Sequence, residues 1–285
     1  MITRDFQLDF DGLLMGDGTP YGVDVWDGFL DMPPTRSTTA PRPGRRGVFT
    51  TPDYDDGKLY SIVADVVAAA GVTFADAVAA LTAGTYPQET LRPLRFQLPG
   101  LGVRTVFVQC RKRVIPVDVA YEFGMSSKCA VQWFAPDGRQ YGPSLSLAAG
   151  LRSGGTGLDY PLVYPLLYGT APVGGVVTFT NTGNAAAEPV ITVTGPLAQG
   201  FEIVRVETGR RLRYQAIVGS DLVLDCGAGT VTTQGQQRAV NLTVREWFTV
   251  APGAVATFSF STLGSETAAS TPTAGMTVTI APAYV

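Results

Sequence analysis

The sequence contains no histidine in its 285 residues. Histidine is the usual proton shuttle near neutral pH, the base of Ser–His and Cys–His nucleophile pairs, and a frequent zinc ligand, so these kinds of site are excluded. Gly150–Pro161 is rich in glycine but lacks the lysine with which a Walker loop holds phosphate. The sequence therefore offers no catalytic, cofactor or metal residue, although a pair of carboxylates that meets only in the fold stays possible.

Cysteine is also scarce. Cys110, Cys129 and Cys226 form no C-x-x-C pair. An odd number of cysteines without such a pair is typical of buried free thiols in a reducing compartment. We expect that state for all three.

Long hydrophobic runs are missing too. The most apolar stretch, between Asp65 and Asp76, is too short to cross a bilayer. The opening Met1–Gly12 carries an arginine and several aspartates, which would interrupt the apolar core of a signal peptide. We therefore expect a soluble chain that is made in a cytoplasm and does not insert into membranes.

Positive charge is limited, with 21 Lys and Arg against 24 Asp and Glu, a formal net charge of −3. Nucleic-acid binding depends on Lys and Arg that neutralise phosphates, so no such partner is expected. The basic cluster Arg42–Gly47 is interpreted as a solvated loop, with a phosphate or partner site as the alternative. The carboxylates of Pro52–Gly57 are interpreted as a polar turn rather than a cation site, because their spacing misses the calcium-loop pattern.

Glycine and proline are abundant, with 33 and 20 residues spread along the chain, which favours many turns and many short strands. With 45% hydrophobic and 16% charged residues, the chain can bury a core. Its length allows two ordinary domains or one large all-β domain. The predicted fold class is mainly β.

One helix is predicted, at Thr73–Gly84. Thr73 is placed to cap it, with Asp76 following as in a capping box, and Gly84 offers a left-handed stop. The apolar stripe on one face consists of Phe74, Ala77, Val78 and Leu81. We expect this stripe to be buried against a sheet of the N-terminal half and Asp76 to be exposed.

Strands are predicted on both sides of this helix, in "LYSIVADV" before it and "CAVQWFAP" after it. In Arg104–Phe123 the apolar alternation changes phase between Val108 and Val117. Two strands are therefore predicted there, joined by a turn or bulge at "RKRVIP".

A domain junction is predicted in Gly142–Pro165, which loses periodicity and is rich in Gly and Pro. The predicted domains are residues 1–148 and 149–285. Beyond the junction, strand-sized pieces alternate apolar and polar residues. The apolar sets are Ile191 and Val193; Phe201 and Ile203; Ala256, Phe258 and Phe260; and Met276, Val278 and Ile280. This pattern predicts an antiparallel β-sandwich, whose last strand, in Gly275–Val285, could return to the first domain.

Short motifs in a fixed order connect the two halves. The C-terminal half contains "TNTGN", "EPVITVTGP", "ETGRRL" (Glu207–Leu212), "GSDLVLDC" (Gly219–Cys226) and "WFTVAPG" (Trp247–Gly253). The N-terminal half contains "GDGTPYGV" (Gly16–Val23), "GKLYSIVADV", "LRPLRFQLPGLGVRTVFVQCRKR" and the closing "VQWFAPDGRQYG" (Val131–Gly142). In this order the motifs resemble the distal tail proteins of long-tailed phages over nearly the whole chain. Gly138 stands where that family usually has proline, so a looser turn is expected there.

The resemblance implies a virion structural protein and not an enzyme. Proteins of this family form a six-fold ring at the distal end of the tail tube and join it to the tail-tip hub or baseplate. The N-terminal "belt" half makes the ring, and a C-terminal galectin-like β-sandwich projects outward. The implied partners are further copies of the chain, the tail-tube protein and the tail-tip hub protein. The implied location is the phage tail tip, after assembly in the host cytoplasm.

Two other classes of function stay open on the residues alone. A sandwich could bind a host-surface glycan on an aromatic face, for which Trp247, Phe248, Tyr214 and Tyr160 are candidates, although such aromatics are more often core residues. An enzyme acting on cell-envelope polymers would need a pair of Asp and Glu side chains.

Asp27–Gly57 is long, rich in proline and poor in apolar residues, so it cannot form a core of its own. In a ring it could reach a neighbouring copy, where Arg45 and Arg46 would meet carboxylates such as those of Asp53–Asp56. The alternative is a mobile hairpin without a partner.

Overall fold

The computed structural model describes residues 2–51, 53–69, 71–151, 174–265, 267 and 270–285. The chain divides into two compact units, Met1–Pro143 with Val285, and Ser144–Tyr284. Antiparallel strands predominate among the described residues, which confirms the mainly-β prediction. Within the same residues, no helix is long and apolar enough to cross a membrane.

The described residues of the first unit form twelve strands and two helices. They are β1 (Gln7–Phe10), β2 (Leu13–Gly16), β3 (Tyr21–Asp27), β4 (Thr35–Arg36), β5 (Thr39–Pro41), β6 (Val48–Thr50), β7 (Tyr54–Asp55), β8 (Lys58–Val67), α1 (Phe74–Gly84), β9 (Arg92–Gln97), β10 (Arg104–Val114), α2 (Val119–Glu122), β11 (Met125–Ala135) and β12 (Gln140–Tyr141).

The main sheet of this unit runs in the order β2-β1-β9-β10-β11-β8-β3. Strand β2 also contacts β3, so the two ends of the order lie together and the sheet encloses a core. Aromatic rings fill that core: the ring centroid of Phe29 lies 4.9 Å from that of Phe96 and 5.3 Å from that of Tyr60. Offset and edge-to-face contacts of this kind add to the free energy gained by burying the rings.

Helix α1 begins as predicted. Thr73 accepts a hydrogen bond from the Asp76 backbone N–H at 3.2 Å, and Asp76 is exposed. Ala77 and Leu81 are buried, with Leu81 2% exposed. Phe74 is only partly buried, as is Val78 on the same stripe, and both pack at the edge of the core.

The end of α1 differs from the prediction, because Gly84 is not a left-handed stop. The cap is Thr85, whose N–H and hydroxyl both donate to the Leu81 carbonyl, at 3.1 and 2.5 Å. Arg113 donates to the Thr82 carbonyl at 2.7 Å, so the last carbonyls are satisfied without a residue at positive φ. The glycine serves packing instead: a Cβ at Gly84 would lie 2.9 Å from a methyl carbon of Leu13.

The prediction of a second strand within Arg104–Phe123 is also wrong. β10 is one continuous strand to Val114, with the predicted irregularity present as a register shift between Cys110 and Lys112. After Pro116, Asp118 caps the single-turn helix α2 by accepting from the Ala120 N–H at 3.0 Å. The apolar residues that imitated an alternating strand lie in this connector between β10 and β11, residues 115–124.

The second unit contains the remaining elements. They are β13 (Leu145–Gly150), β14 (Val176–Thr180), β15 (Val190–Thr194), β16 (Phe201–Arg205), β17 (Arg211–Tyr214), β18 (Leu222–Asp225), β19 (Thr230–Thr233), β20 (Gln236–Gln237), a 3-10 helix (Ala239–Asn241), β21 (Leu242–Arg245), β22 (Val255–Thr262), β23 (Gly275–Ile280) and β24 (Ala283–Tyr284).

Strands β13 to β23 form two sheets, in the orders β13-β23-β15-β18-β19-β20 and β14-β22-β16-β17-β21. Every residue of the predicted apolar sets is buried, with at most 2% exposure. The apolar faces therefore form the sandwich core while the intervening threonines face outward, as the alternation predicts. Trp247–Val250, which looked strand-like, contributes only an isolated bridge between Val250 and Ala187.

The "TNTGN" turn is organised by one buried asparagine, Asn181, which has 0% exposure. Its amide group donates to the Ala185 carbonyl at 2.8 Å and to the Val250 carbonyl at 3.0 Å. Its side-chain oxygen accepts from the Gly183 N–H at 3.0 Å. The Asn181 side chain thus provides hydrogen-bond partners for backbone groups of two separate segments.

Replacing Leu81 by alanine removes a buried side chain, and we expect it to lower the free energy of unfolding by about 2–5 kcal/mol. Denaturant unfolding of the full-length protein measures this. Leu91→Ala is the control, because Leu91 is 46% exposed and should cost less. Equal midpoints for Leu81→Ala and the parent protein would show that α1 is not part of the core.

Replacing Asn181 by alanine leaves buried carbonyls without a donor, each costing about 1–3 kcal/mol. We therefore expect a lower melting temperature for Asn181→Ala than for Asn184→Ala, since Asn184 is exposed in the same turn. Calorimetry of both variants measures the difference. Equal melting temperatures would contradict the role given to Asn181.

Candidate functional site

The cysteines do not form a reactive site. Cys110, Cys129 and Cys226 are free and buried, as predicted. Burial raises the pKa of each thiol, and that of Cys226 to about 12. Thiols with raised pKa values remain protonated at neutral pH and are poor nucleophiles. In the described part of the chain, no group of three His, Cys, Asp or Glu side chains is arranged to hold a metal ion.

The most distinctive surface feature is a long hairpin, which we call the arm and define as residues 34–56. Strand β4 pairs with β7, and β5 pairs with β6 farther out. The Asp56 N–H donates to the Pro34 carbonyl at 2.7 Å and closes the arm at its base. Every described residue of the arm is exposed. The apolar-poor segment predicted from the sequence therefore contains two short ladders and has no core of its own.

The arm carries three of its four arginines at its tip, while the fourth, Arg36, lies in β4 near the base. Arg42, Arg45 and Arg46 lie in the turn at the tip, and Arg42 lies 4.9 Å from the centroid of the Phe49 ring. The aspartates of Asp53–Asp56 lie at the base, on the strand that returns to the domain. Among the described residues, no ion pair joins the arginines to these aspartates.

A cavity of about 340 Å³ opens beside the base of the arm. Its lining includes Asp27, Asp31, Met32, Lys58, Leu59 and Phe134. Lys58 is buried, donates to the Asp31 carbonyl and lies 5.2 Å from the centroid of the Tyr60 ring. Burial lowers the pKa of Lys58, and the Asp31 carboxylate opposes this shift.

Two glycines bring the backbone close enough to form this cavity. A Cβ at Gly57 would lie 2.3 Å from the Phe134 ring, and one at Gly28 would lie 2.2 Å from the Leu59 carbonyl oxygen. Gly28 also has a φ of +82°, which side chains rarely adopt. Sequence reasoning missed the cavity, and these two glycines at the ends of the apolar-poor segment were the available signal.

The turn around Gly138 supports the base from the other side. Asp137 accepts hydrogen bonds from the Arg139 N–H and guanidinium, both at 3.0 Å, and from the Tyr141 hydroxyl at 2.5 Å. Gly138 is buried, and a Cβ there would lie 2.8 Å from Pro33. The expectation of a loose turn is therefore wrong, because the missing side chain lets the turn pack closely.

The three candidate sugar-binding aromatics that the structure describes do not share an exposed face. Tyr214 is 3% exposed and stacks on Phe201 in the core, and Phe248 is fully buried. Trp247 is partly buried, and Tyr160 lies outside the described residues. A cavity of about 240 Å³ borders Tyr214 and Asn241, but the amide of Asn241 already donates to the Tyr214 hydroxyl at 3.2 Å.

Comparison with known proteins gives matches to components of phage tails and baseplates. Residues 182–271 match the SPP1 Dit model, described as a siphovirus-type tail component, C-terminal domain. The fold is similar to the crystal structure of the Dit protein of phage SPP1, described as a paradigm of the hub adsorption apparatus in phages that infect Gram-positive bacteria. That match has a TM-score of 0.64 and 15% identity, and it covers 99% of this chain and 100% of that chain.

The fold is also similar to a chain of the phage P2 baseplate in its activated conformation with Ca, with a TM-score of 0.52 and 8% identity. The match covers 96% of this chain and 97% of that one, and the baseplate with Sr gives the same values. At these identities the solved structures show the fold alone. No curated protein matches the chain significantly.

The Asp137 turn generates a pH prediction. Burial acts to raise the pKa of Asp137, but its hydrogen bonds with Arg139 and Tyr141 outweigh that effect, and its pKa lies below the usual value. A carboxylate with a depressed pKa stabilises the fold above its unfolded-state pKa, and this contribution disappears as the pH falls through the folded-state pKa. We therefore expect Asp137→Asn to be destabilising near pH 7 and progressively less so below about pH 4.

Urea unfolding of the parent and of Asp137→Asn across this range tests the expectation, and NMR titration of the Asp137 carboxyl tests its cause. A difference in unfolding free energy that is independent of pH, with a carboxyl titrating at its ordinary pKa, would contradict it.

Proposed function

We propose that this chain is a virion structural protein that forms a ring at the distal end of a long phage tail. Its resemblance to the distal tail (Dit) protein family is confirmed by the match of residues 182–271. The ring contains six copies and joins the tail tube to the tail-tip hub or baseplate. The first unit makes the ring contacts, and the β-sandwich projects outward. The partners are further copies, the tail-tube protein and the hub protein.

The observation that supports the ring most strongly is the arm. A two-stranded hairpin is marginally stable in water unless it packs against something else. The arm buries none of its described side chains within its own chain. A neighbouring copy would supply the surface that the arm lacks, and an isolated monomer would leave it in solvent.

The first unit also has apolar side chains available for a permanent contact. Leu30 and Met32, next to the arm, are each 72% exposed. In the connector, Val117 is 76%, Val119 74% and Phe123 83% exposed. Apolar groups concentrated in patches mark interaction surfaces. A closed ring needs two different complementary surfaces on each subunit, and permanent interfaces of this kind bury more than about 2,000 Å².

A structural role requires no chemistry from the chain, in keeping with the sequence, which lacks histidine. The glycan-binding alternative depended on an aromatic face, and the described aromatics of the sandwich do not form one. No second function is therefore proposed.

Light scattering coupled to size exclusion tests the ring on the full-length protein, for which we expect a species of six copies. Deleting Thr38–Arg46 removes the outer arm without removing any buried side chain. We expect this variant to need a concentration roughly tenfold higher or more to form the ring, as for the loss of an anchoring interface contact. Its circular dichroism and melting temperature should stay close to those of the parent.

The two halves provide the matched comparison. A fragment of residues 1–143 should assemble, whereas a fragment of residues 144–285 should stay monomeric, each after its fold has been checked by circular dichroism. A full-length protein that is monomeric at high concentration, or assembly by the sandwich fragment alone, would contradict the proposed division of roles.

A further inference from the structure

We propose that the arginines at the tip of the arm of one copy bind the acidic cavity at the base of the arm of the next copy. This inference rests on the proposed ring and specifies its contact. It makes the ring a head-to-tail chain of arms in which the tip and the cavity are the two complementary surfaces.

The tip presents cations in a fixed turn. Gly44 and Gly47 adopt positive φ values of 68° and 95°, which shape the turn that carries the arginines. Arg42 packs on Phe49, so the tip combines an apolar ring with guanidinium groups. Arg45 and Arg46 are exposed and form no ion pair among the described residues. These side chains are available to a partner.

The cavity presents the complementary chemistry. Asp27 and Asp31 line it, and Asp55 and Asp56 lie beside it at the base of the arm. The opposing cations are Lys58, which is buried, Arg36 of β4, and Arg111, whose guanidinium lies 5.1 Å from the centroid of the Phe134 ring. Carboxylates therefore outnumber cations around the opening.

Apolar groups complete the match. Met32 and Leu59 line the cavity and are 72% and 50% exposed. A guanidinium on an apolar stem suits such a site, because the stem covers the apolar wall while the planar head bonds to carboxylates.

Geometry excludes a contact within one chain. The tip and the base are opposite ends of the arm, which consists of two short ladders, Thr35–Arg36 with Tyr54–Asp55 and Thr39–Pro41 with Val48–Thr50. Gly44 lies nine residues after Thr35, so the arm spans at most about 30 Å at roughly 3.3 Å per residue. The arm of another copy is therefore the occupant that we assign to the cavity.

The same length sets the size of the ring. In a six-fold ring, the distance between equivalent points on neighbouring subunits equals their distance from the axis. If the tip of one arm ends at the base of the next, the bases lie at most about 30 Å from the six-fold axis. This radius follows from the arm alone.

Charge reversal tests the contact in the full-length protein. Either Arg45→Glu/Arg46→Glu or Asp27→Arg/Asp31→Arg should raise the dissociation constant of the ring roughly tenfold or more, since each places like charges together. Combining all four substitutions in one chain reverses both sides and should restore assembly. The control for the arginine pair is Arg210→Glu/Arg211→Glu, which makes the same change in net charge on the second unit and should leave the ring intact.

Disulfide trapping gives a second readout. The Arg45→Cys/Met32→Cys pair should form covalent oligomers up to closed hexamers on oxidation, because the native cysteines are buried. The Arg45→Cys/Val119→Cys pair, aimed at the connector, should not. If the ring forms normally despite charge reversal at the tip, and if only the connector pair forms disulfides between copies, the proposed contact is wrong. The proposed ring would still stand. A parent protein that never assembles would overturn both.

Discussion

Both units depend on the burial of one face of the alternating strands in their sheets. In β22, Ala256, Phe258 and Phe260 are fully buried while the residues between them are partly exposed. The same period of two buries Tyr60 and Ile62 of β8 in the core of the first unit. A strand whose side chains are exposed on both faces adds nothing to a core, so it must remain at the surface or find a partner outside the chain.

The arm is the segment that contributes to neither core. Its ladder hydrogen bonds hold its shape, but its side chains add no buried apolar area. The domain compensates at the base, where Gly57 and Gly138 let the backbone approach Phe134 and Pro33 closely. The base is thus firmly packed while the tip is exposed. This arrangement suits a hairpin that is attached closely to its own domain at the base and binds a partner at the tip.

Much of the fold could be predicted because alternation and capping are local signals. The Thr73 cap and the strand around Met276 needed only neighbouring residues to be recognised. The errors arose where tertiary contacts decided the outcome: Arg113 satisfies the end of α1, and Asp118 turns an apparently alternating segment into a capped helical turn. The apolar-poor segment was identified, but its hairpin ladder and the cavity at its base depend on pairings between residues far apart in sequence.

The account stands on the claim that copies of this chain close into a ring through the arm of the first unit. Electron cryomicroscopy of the full-length protein measures this most directly. The predicted result is a closed six-fold ring in which density for the arm runs from one subunit to the base of the next, with the bases at most about 30 Å from the axis. Isolated monomers, open fibres, or a ring whose arms point away from every neighbouring subunit would contradict it.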